Sequence, residues 1–130
     1  MKDQSAEHFN WADQFLRDAE ILINSDSFSS SISRSYYASF HGAKAVLSEL
    51  GIIRKSHQAV WSAFGKNVTV PGLMDKRFHS GGVRLFSDRL DSDYSPGAKD
   101  TKESAQRRHA FASEFVAACR AFIENREKGN

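Results

Sequence analysis

Three side chains on one stretch of this 130-residue chain have the types and spacing to handle a phosphodiester: Arg34, Tyr37 and His41. At about 100° per residue, Arg34 and His41 differ by about 20° after two full turns, so a helix would set cation, phenol and imidazole in one row about 10 Å long. Arginine offers a fixed fork of donors to phosphate oxygens and keeps its charge near neutral pH. Histidine, with an unperturbed pKa of about 6.5, can take up a proton and return it. In RNA the 2′-hydroxyl is a nucleophile already beside the phosphate. A base near it, an acid at the leaving oxygen and a cation on the developing charge suffice for cleavage without a metal. One helix supplies one such histidine, so two copies meeting about a twofold axis could supply both proton-transfer roles. The plain alternative is a solvated helix face, on which an Arg and a His two turns apart are common, with Tyr37 a half-buried packing residue.

The element that must hold this row is a helix over about 29–50. Ile32, Tyr36, Phe40, Ala43, Leu47 and Leu50 give it an apolar face about 140–200° away from the row, and Gly51 is a stop signal. A helix over about 6–24 precedes it, with Phe9, Ala12, Leu16, Ala19 and Ile23 on one face and Phe15 and Leu22 widening the stripe. A short helix over 56–64 would bury Val60, Trp61 and Phe64; 65–72 reads as a loop with a short extended piece as the lesser alternative. The spacing of Phe78, Val83, Phe86 and Leu90 predicts a helix over 73–90, broken or kinked where Gly81 and Gly82 adjoin. Tyr94 to Gly97 reads as a turn. A final helix starts near Asp100, capped by Asp100 with Glu103 or by Thr101, with Ala105, Ala112, Phe115, Cys119, Phe122 and Ile123 in its stripe and a polar tail at 126–130 that frays. The architecture expected is all-α: one domain over 1–130, ordered over about 6–125, forming an antiparallel up-and-down bundle of four to five helices.

Composition narrows the function. Hydrophobic residues are 40% of the chain and charged residues 26%, with only 8 Gly and 2 Pro, which excludes disordered and collagen-like chains. A net charge of +2 means that any anion site is a local cluster. The longest apolar run, Phe115 to Cys119, is far short of the ~20 residues needed to cross a bilayer, and the N-terminus has no apolar signal region. With a single Cys, a soluble, cytoplasmic protein without membrane partners is the expectation.

The remaining candidates are local. His8, His41, His57, His79 and His109 form no metal-ligand spacing, so neither a metal nor another cofactor is expected. Cys119 falls in an apolar register and reads as a buried small hydrophobe. Basic clusters stand at Arg54, Lys55 and His57, at Lys76, Arg77 and His79, and at Arg107, Arg108 and His109. The first, with Lys44 one turn beyond His41, is the preferred site for RNA backbone phosphates.

The run Ser33-Arg34-Ser35-Tyr36-Tyr37-Ala38-Ser39-Phe40-His41-Gly42-Ala43 resembles the signature helix of the HEPN superfamily, whose small stand-alone bacterial and archaeal members read Arg-x-Tyr-Tyr-Ala-x-Phe-His-x-Ala. Arg89 to Tyr94 resembles the family's Arg-x-x-x-Asp-Tyr segment, and Thr101 to Ala105, Ala112 and Glu114 to Val116 resemble its last helix. The resemblance implies a dimerising helical bundle and a metal-independent endoribonuclease whose Arg-x(4–6)-His motif is Arg34 and His41, with Ser35 and Tyr37 orienting substrate or imidazole. It further implies a toxin or defence protein paired with a nucleotidyltransferase-type antitoxin. Other members are non-catalytic modules that bind a nucleotide or that partner. Catalytic members often carry Asn, Asp or His directly after the Arg, where this chain has Ser35. The tyrosine that some toxins carry two residues after the His is here Ala43.

Overall fold

Among the described residues the chain forms five α-helices: α1 (Asp3–Asn24), α2 (Phe28–Glu49), α3 (His57–Phe64), α4 (Lys76–Tyr94) and α5 (Lys102–Lys128). The computed structural model describes residues 1–94 and 100–129, and among these there is no strand. The expected turn at 94–97 therefore lies largely outside the described residues.

The helix ends follow from local chemistry. Asp26, at φ 59°, lets the Ser27 N–H reach back to the Leu22 carbonyl and close α1. Gly51, at φ 76°, does the same for α2, with the Ile52 N–H on the Leu47 carbonyl. Ser56 caps α3 through the Ala59 N–H. At α5 the capping box pairs Thr101 with Ser104. The alternative Asp100–Glu103 box does not form, because the Asp100 carboxylate instead accepts from Ser29 and Ser92. The expected fraying tail is helical to Lys128.

The side-chain pairings give the topology. Ser5 with Ala45, His8 with His41 and Ser31 with Ala19 run α1 antiparallel to α2. Arg89 with Tyr37 and Ser33 with Asp93 run α4 antiparallel to α2. Arg108 with Asp88 and Arg77 with Glu114 run α5 antiparallel to α4. This is the up-and-down bundle expected. The core is one apolar cluster, and α2 contributes most to it, with Ile32, Tyr36, Phe40, Val46 and Leu47 buried. Small residues (Ser31, Ser35, Ala38, Ser39, Gly42, Ala43 and Ala45) fill the rest of its buried surface. α5 can therefore lie close: a Cβ at Gly42 would stand 3.4 Å from Phe115 and 3.5 Å from Val116.

Two expectations are corrected. Residues Gly65–Thr69 are a π-helical turn continuing α3 rather than a loop, closed by the Val70 N–H on the Gly65 carbonyl. α4 also runs unbroken through Gly81 and Gly82. A Cβ there would stand 2.3 Å from Phe111 and 2.3 Å from Trp61 respectively, so the glycines make room for rings rather than for a kink. Within α4, Leu85 takes the buried position and Val83 is 40% exposed.

Candidate active site

The α2 row forms as the spacing requires, but its neighbours change its meaning. Arg34 is exposed, and Tyr37 and His41 are half-buried. Phe15 of α1 touches all three: its ring centre lies 5.8 Å from the Arg34 guanidinium, 5.6 Å from the Tyr37 ring and 5.7 Å from the His41 ring. Phe15 is thus a floor to the row as well as part of the apolar stripe. Trp11, one turn earlier and half exposed, stacks at 6.2 Å from His41.

His41 has a partner that sequence spacing did not reveal. Its Nδ1 lies 3.0 Å from Nδ1 of His8, which α1 presents one turn before Trp11. The signal available was the helical row His8, Trp11 and Phe15, at i, i+3 and i+7, which parallels the apolar stripe. Burial, then the neighbouring His8, Lys44 and His57, push the His41 pKa down to about 4. His8 is also lowered, by burial and Lys44 against the opposing charge of Glu7. Both imidazoles are accordingly neutral at pH 7.

Tyr37 is held from the other side, where Arg89 of α4 donates to its hydroxyl at 2.6 Å. Beneath it a buried chain runs from the Trp61 indole N–H to the Tyr36 hydroxyl at 3.1 Å, and from that hydroxyl to His57 Nδ1 at 2.6 Å. The Tyr36 oxygen thus accepts from Trp61 and shares one hydrogen with His57 Nδ1, and the imidazole tautomer sets which of the two donates.

Two expected site residues lie elsewhere. Ser35 is fully buried and its hydroxyl has no hydrogen-bond partner, because residue 35 sits about 100° round the helix from Arg34 and faces into the bundle. It is not presented to a substrate at this surface. His57 leaves the cluster with Arg54 and Lys55. As the first residue of α3 it turns inward and stacks on Phe40 at 4.2 Å and on Phe86 at 5.6 Å. Burial, then Arg89 and Lys44, lower its pKa, which disfavours the imidazolium there. Lys44, Arg54 and Lys55 do converge. They line one depression of about 110 Å³ together with His8. A separate cavity of about 380 Å³ is lined by Arg34, Tyr37, Phe15, Ser29, Ser30 and Ser33 among others.

Three other basic side chains are occupied. Arg77 forks onto Glu114, Arg108 pairs with Asp88 at 2.9 Å, and the His109 ring meets the Leu16 carbonyl. Cys119 is fully buried, which pushes its thiol pKa far up. Among the described residues, no three His, Cys, Asp or Glu side chains gather as a metal site, and no helix is long and apolar enough to cross a membrane.

Comparison with known proteins matches this arrangement to one family. The sequence model of the HEPN domain matches residues 5–122. A UPF0332 protein of Gloeobacter violaceus is 32% identical, over 86% of this chain and 90% of its own length. A UPF0332 protein of Thermotoga maritima is 27% identical, over 88% of this chain and 86% of its own. A protein of Methanocaldococcus jannaschii named "Putative toxin" is 30% identical, over 73% of this chain and 70% of its own. With α2 carrying the signature row and nearly the whole bundle inside the match, the chain belongs to the HEPN family.

Proposed function

We propose that this protein, as one domain over its 130 residues, is a metal-independent endoribonuclease acting as a homodimer in the cytoplasm, and that it is the toxin or defence component of a two-gene module with a nucleotidyltransferase-type antitoxin. The observation that carries the reading is the joint placement of Arg34 and His41 over one ring, Phe15, along one row of α2. The name "Putative toxin" borne by two relatives supports it.

In this reading Arg34 holds and neutralises the scissile phosphate. His41, neutral at pH 7, accepts the 2′-hydroxyl proton as the 2′-oxygen attacks phosphorus. Tyr37, its oxygen fixed by Arg89, orients the substrate. Lys44, Arg54 and Lys55 draw in the backbone beyond the cleaved bond. The products are a 2′,3′-cyclic phosphate and a 5′-hydroxyl. The test is cleavage of mixed-sequence RNA in EDTA by the parent protein, Arg34→Ala and His41→Ala. Cyclic-phosphate ends that disappear in both variants support the assignment. A folded His41→Ala protein that still cuts RNA ends it.

One observation favours a second reading, a non-catalytic module that binds a nucleotide or the nucleotidyltransferase. The cavity lined by Arg34, Tyr37, four serines and Asp93 does not include His41 among its lining residues. Saturable nucleotide binding, lost in Arg34→Ala and accompanied by no RNA cleavage, would select it.

A further inference from the structure

We propose that His8 and His41 act as one proton-relay pair, so that a single protomer holds both a proton acceptor and a proton donor for RNA cleavage. The inference rests on the endoribonuclease reading above and extends it to a residue outside the Arg-x(4–6)-His motif.

The geometry is specific. The two Nδ1 atoms are 3.0 Å apart, a hydrogen-bond distance. Two imidazole nitrogens can bond only if one carries hydrogen and the other a lone pair. With both rings neutral, the tautomers must be opposite. The ring that donates from Nδ1 has a lone pair on Nε2; the ring that accepts at Nδ1 has its hydrogen on Nε2. Since the Nδ1 atoms are engaged with each other, the two Nε2 atoms are left to work, one as base and one as acid.

The balance closes within the pair. The lone-pair Nε2 takes the 2′-hydroxyl proton as the bond from the 2′-oxygen to phosphorus forms. That ring passes its Nδ1 proton across the 3.0 Å bond. The other ring releases its Nε2 proton to the 5′-oxygen as the bond from phosphorus to that oxygen breaks. One proton enters, one leaves, and the pair stays neutral with its tautomers exchanged; water restores them between turnovers.

The surroundings suit such a pair. His8 borders the depression of Lys44, Arg54 and Lys55, whose charges suit a phosphate, and Phe15 and Trp11 pack on His41. The charged and titratable groups facing the rings are Glu7 from α1, Lys44 from α2 and His57 from α3, with Arg89 from α4 facing His57. Burial first, and then this mainly basic set, disfavours a charge on the pair.

The test compares the parent, His8→Ala and His8→Asn on mixed-sequence single-stranded RNA across pH 4–8. Asparagine can still hydrogen-bond His41 Nδ1 but cannot pass a proton. Both variants are expected to lose about 100-fold in kcat, the scale of one proton-transfer group, with much less change in KM. In His8→Ala the acidic limb of the rate profile should move up toward the ordinary histidine range. Nitrogen-15 spectra of the imidazoles should show opposite tautomers for His8 and His41 in the parent. Full activity in His8→Asn would reduce His8 to a positioning residue and overturn the relay, as would identical tautomers in the two rings. If the parent cleaves no RNA, the endoribonuclease reading falls and the relay with it, while the spectra separately report whether the pair exists.

Discussion

Arg89 of α4 donates to the Tyr37 hydroxyl of α2 at 2.6 Å, and its guanidinium lies 5.1 Å from the Tyr37 ring centre and 5.5 Å from that of Tyr36. This one cation ties α4 to the helix that carries the site. A double-mutant cycle of Tyr37→Phe and Arg89→Ala is expected to give a coupling of about 1–2 kcal/mol in urea unfolding. Arg89→Ala should cost more than Tyr37→Phe, because it also removes the contact with two ring faces. Additive single effects would mean that the bond contributes nothing.

Stability should fall as pH drops below neutral. The folded pKa of His41 is about 4, below the ordinary value of 6.5. Above pH 6.5 both folded and unfolded states hold it neutral. As pH falls, the unfolded chain takes up a proton that the folded one resists, so stability is lost between pH 6.5 and 4, then levels off. The loss is on the order of 2–3 kcal/mol from this group. Urea midpoints at pH 7.5 and 5.0 check it. His41→Phe should flatten the dependence, though not abolish it, since His8 and His57 are shifted the same way.

Replacing Gly81 or Gly82 by alanine should destabilise the protein. Helix propensity alone favours alanine by about 1 kcal/mol. Against this, the new methyl groups would stand 2.3 Å from the half-buried Phe111 ring and from the buried Trp61 ring. Overpacking costs about 1–3 kcal/mol or more, so the net shift in thermal midpoint should be downward for each. An upward shift would show that the rings can move aside.

The basic depression can be read through salt. Changing Lys44, Arg54 and Lys55 together to Gln should reduce the slope of log affinity against log salt by about 2 for single-stranded RNA. Lys66→Gln, on the π-helical turn, should leave the slope unchanged. An unchanged slope in the triple variant would place the backbone contacts elsewhere.

Removing the α5 cap by Thr101→Ala should cost about 1 kcal/mol, seen as a lower unfolding midpoint with an unchanged far-ultraviolet spectrum. Thr101→Ser, which retains the hydroxyl that accepts from the Ser104 N–H, should cost little.

The core faces and the α2 row were legible because both obey one rule, the 3.6-residue repeat. What sequence spacing could not supply was the register of one helix against another. His8 and His41 meet only because Ser5 docks on Ala45 and sets how α1 slides along α2. Phe15 was readable as apolar, but its contact with all three members of the row depends on that same register. The glycines of α4 misled because their cost was judged on an isolated helix, while their value lies in two rings brought from α3 and α5. His57 parts from Arg54 and Lys55 because charge clusters in sequence carry no direction, and the first residue of α3 turns inward.

The chain has two tryptophans placed in opposite circumstances. Trp61 is 3% exposed and hydrogen-bonded to Tyr36, whereas Trp11 is 50% exposed and stacked against His41. The first emits from an unchanging interior, and the second from solvent beside the imidazole on which the proposed chemistry turns. The molecule therefore carries its own optical gauge: red-shifted emission follows the state of the site, blue-shifted emission follows the integrity of the bundle, and one spectrum can tell an emptied site from an unfolding one.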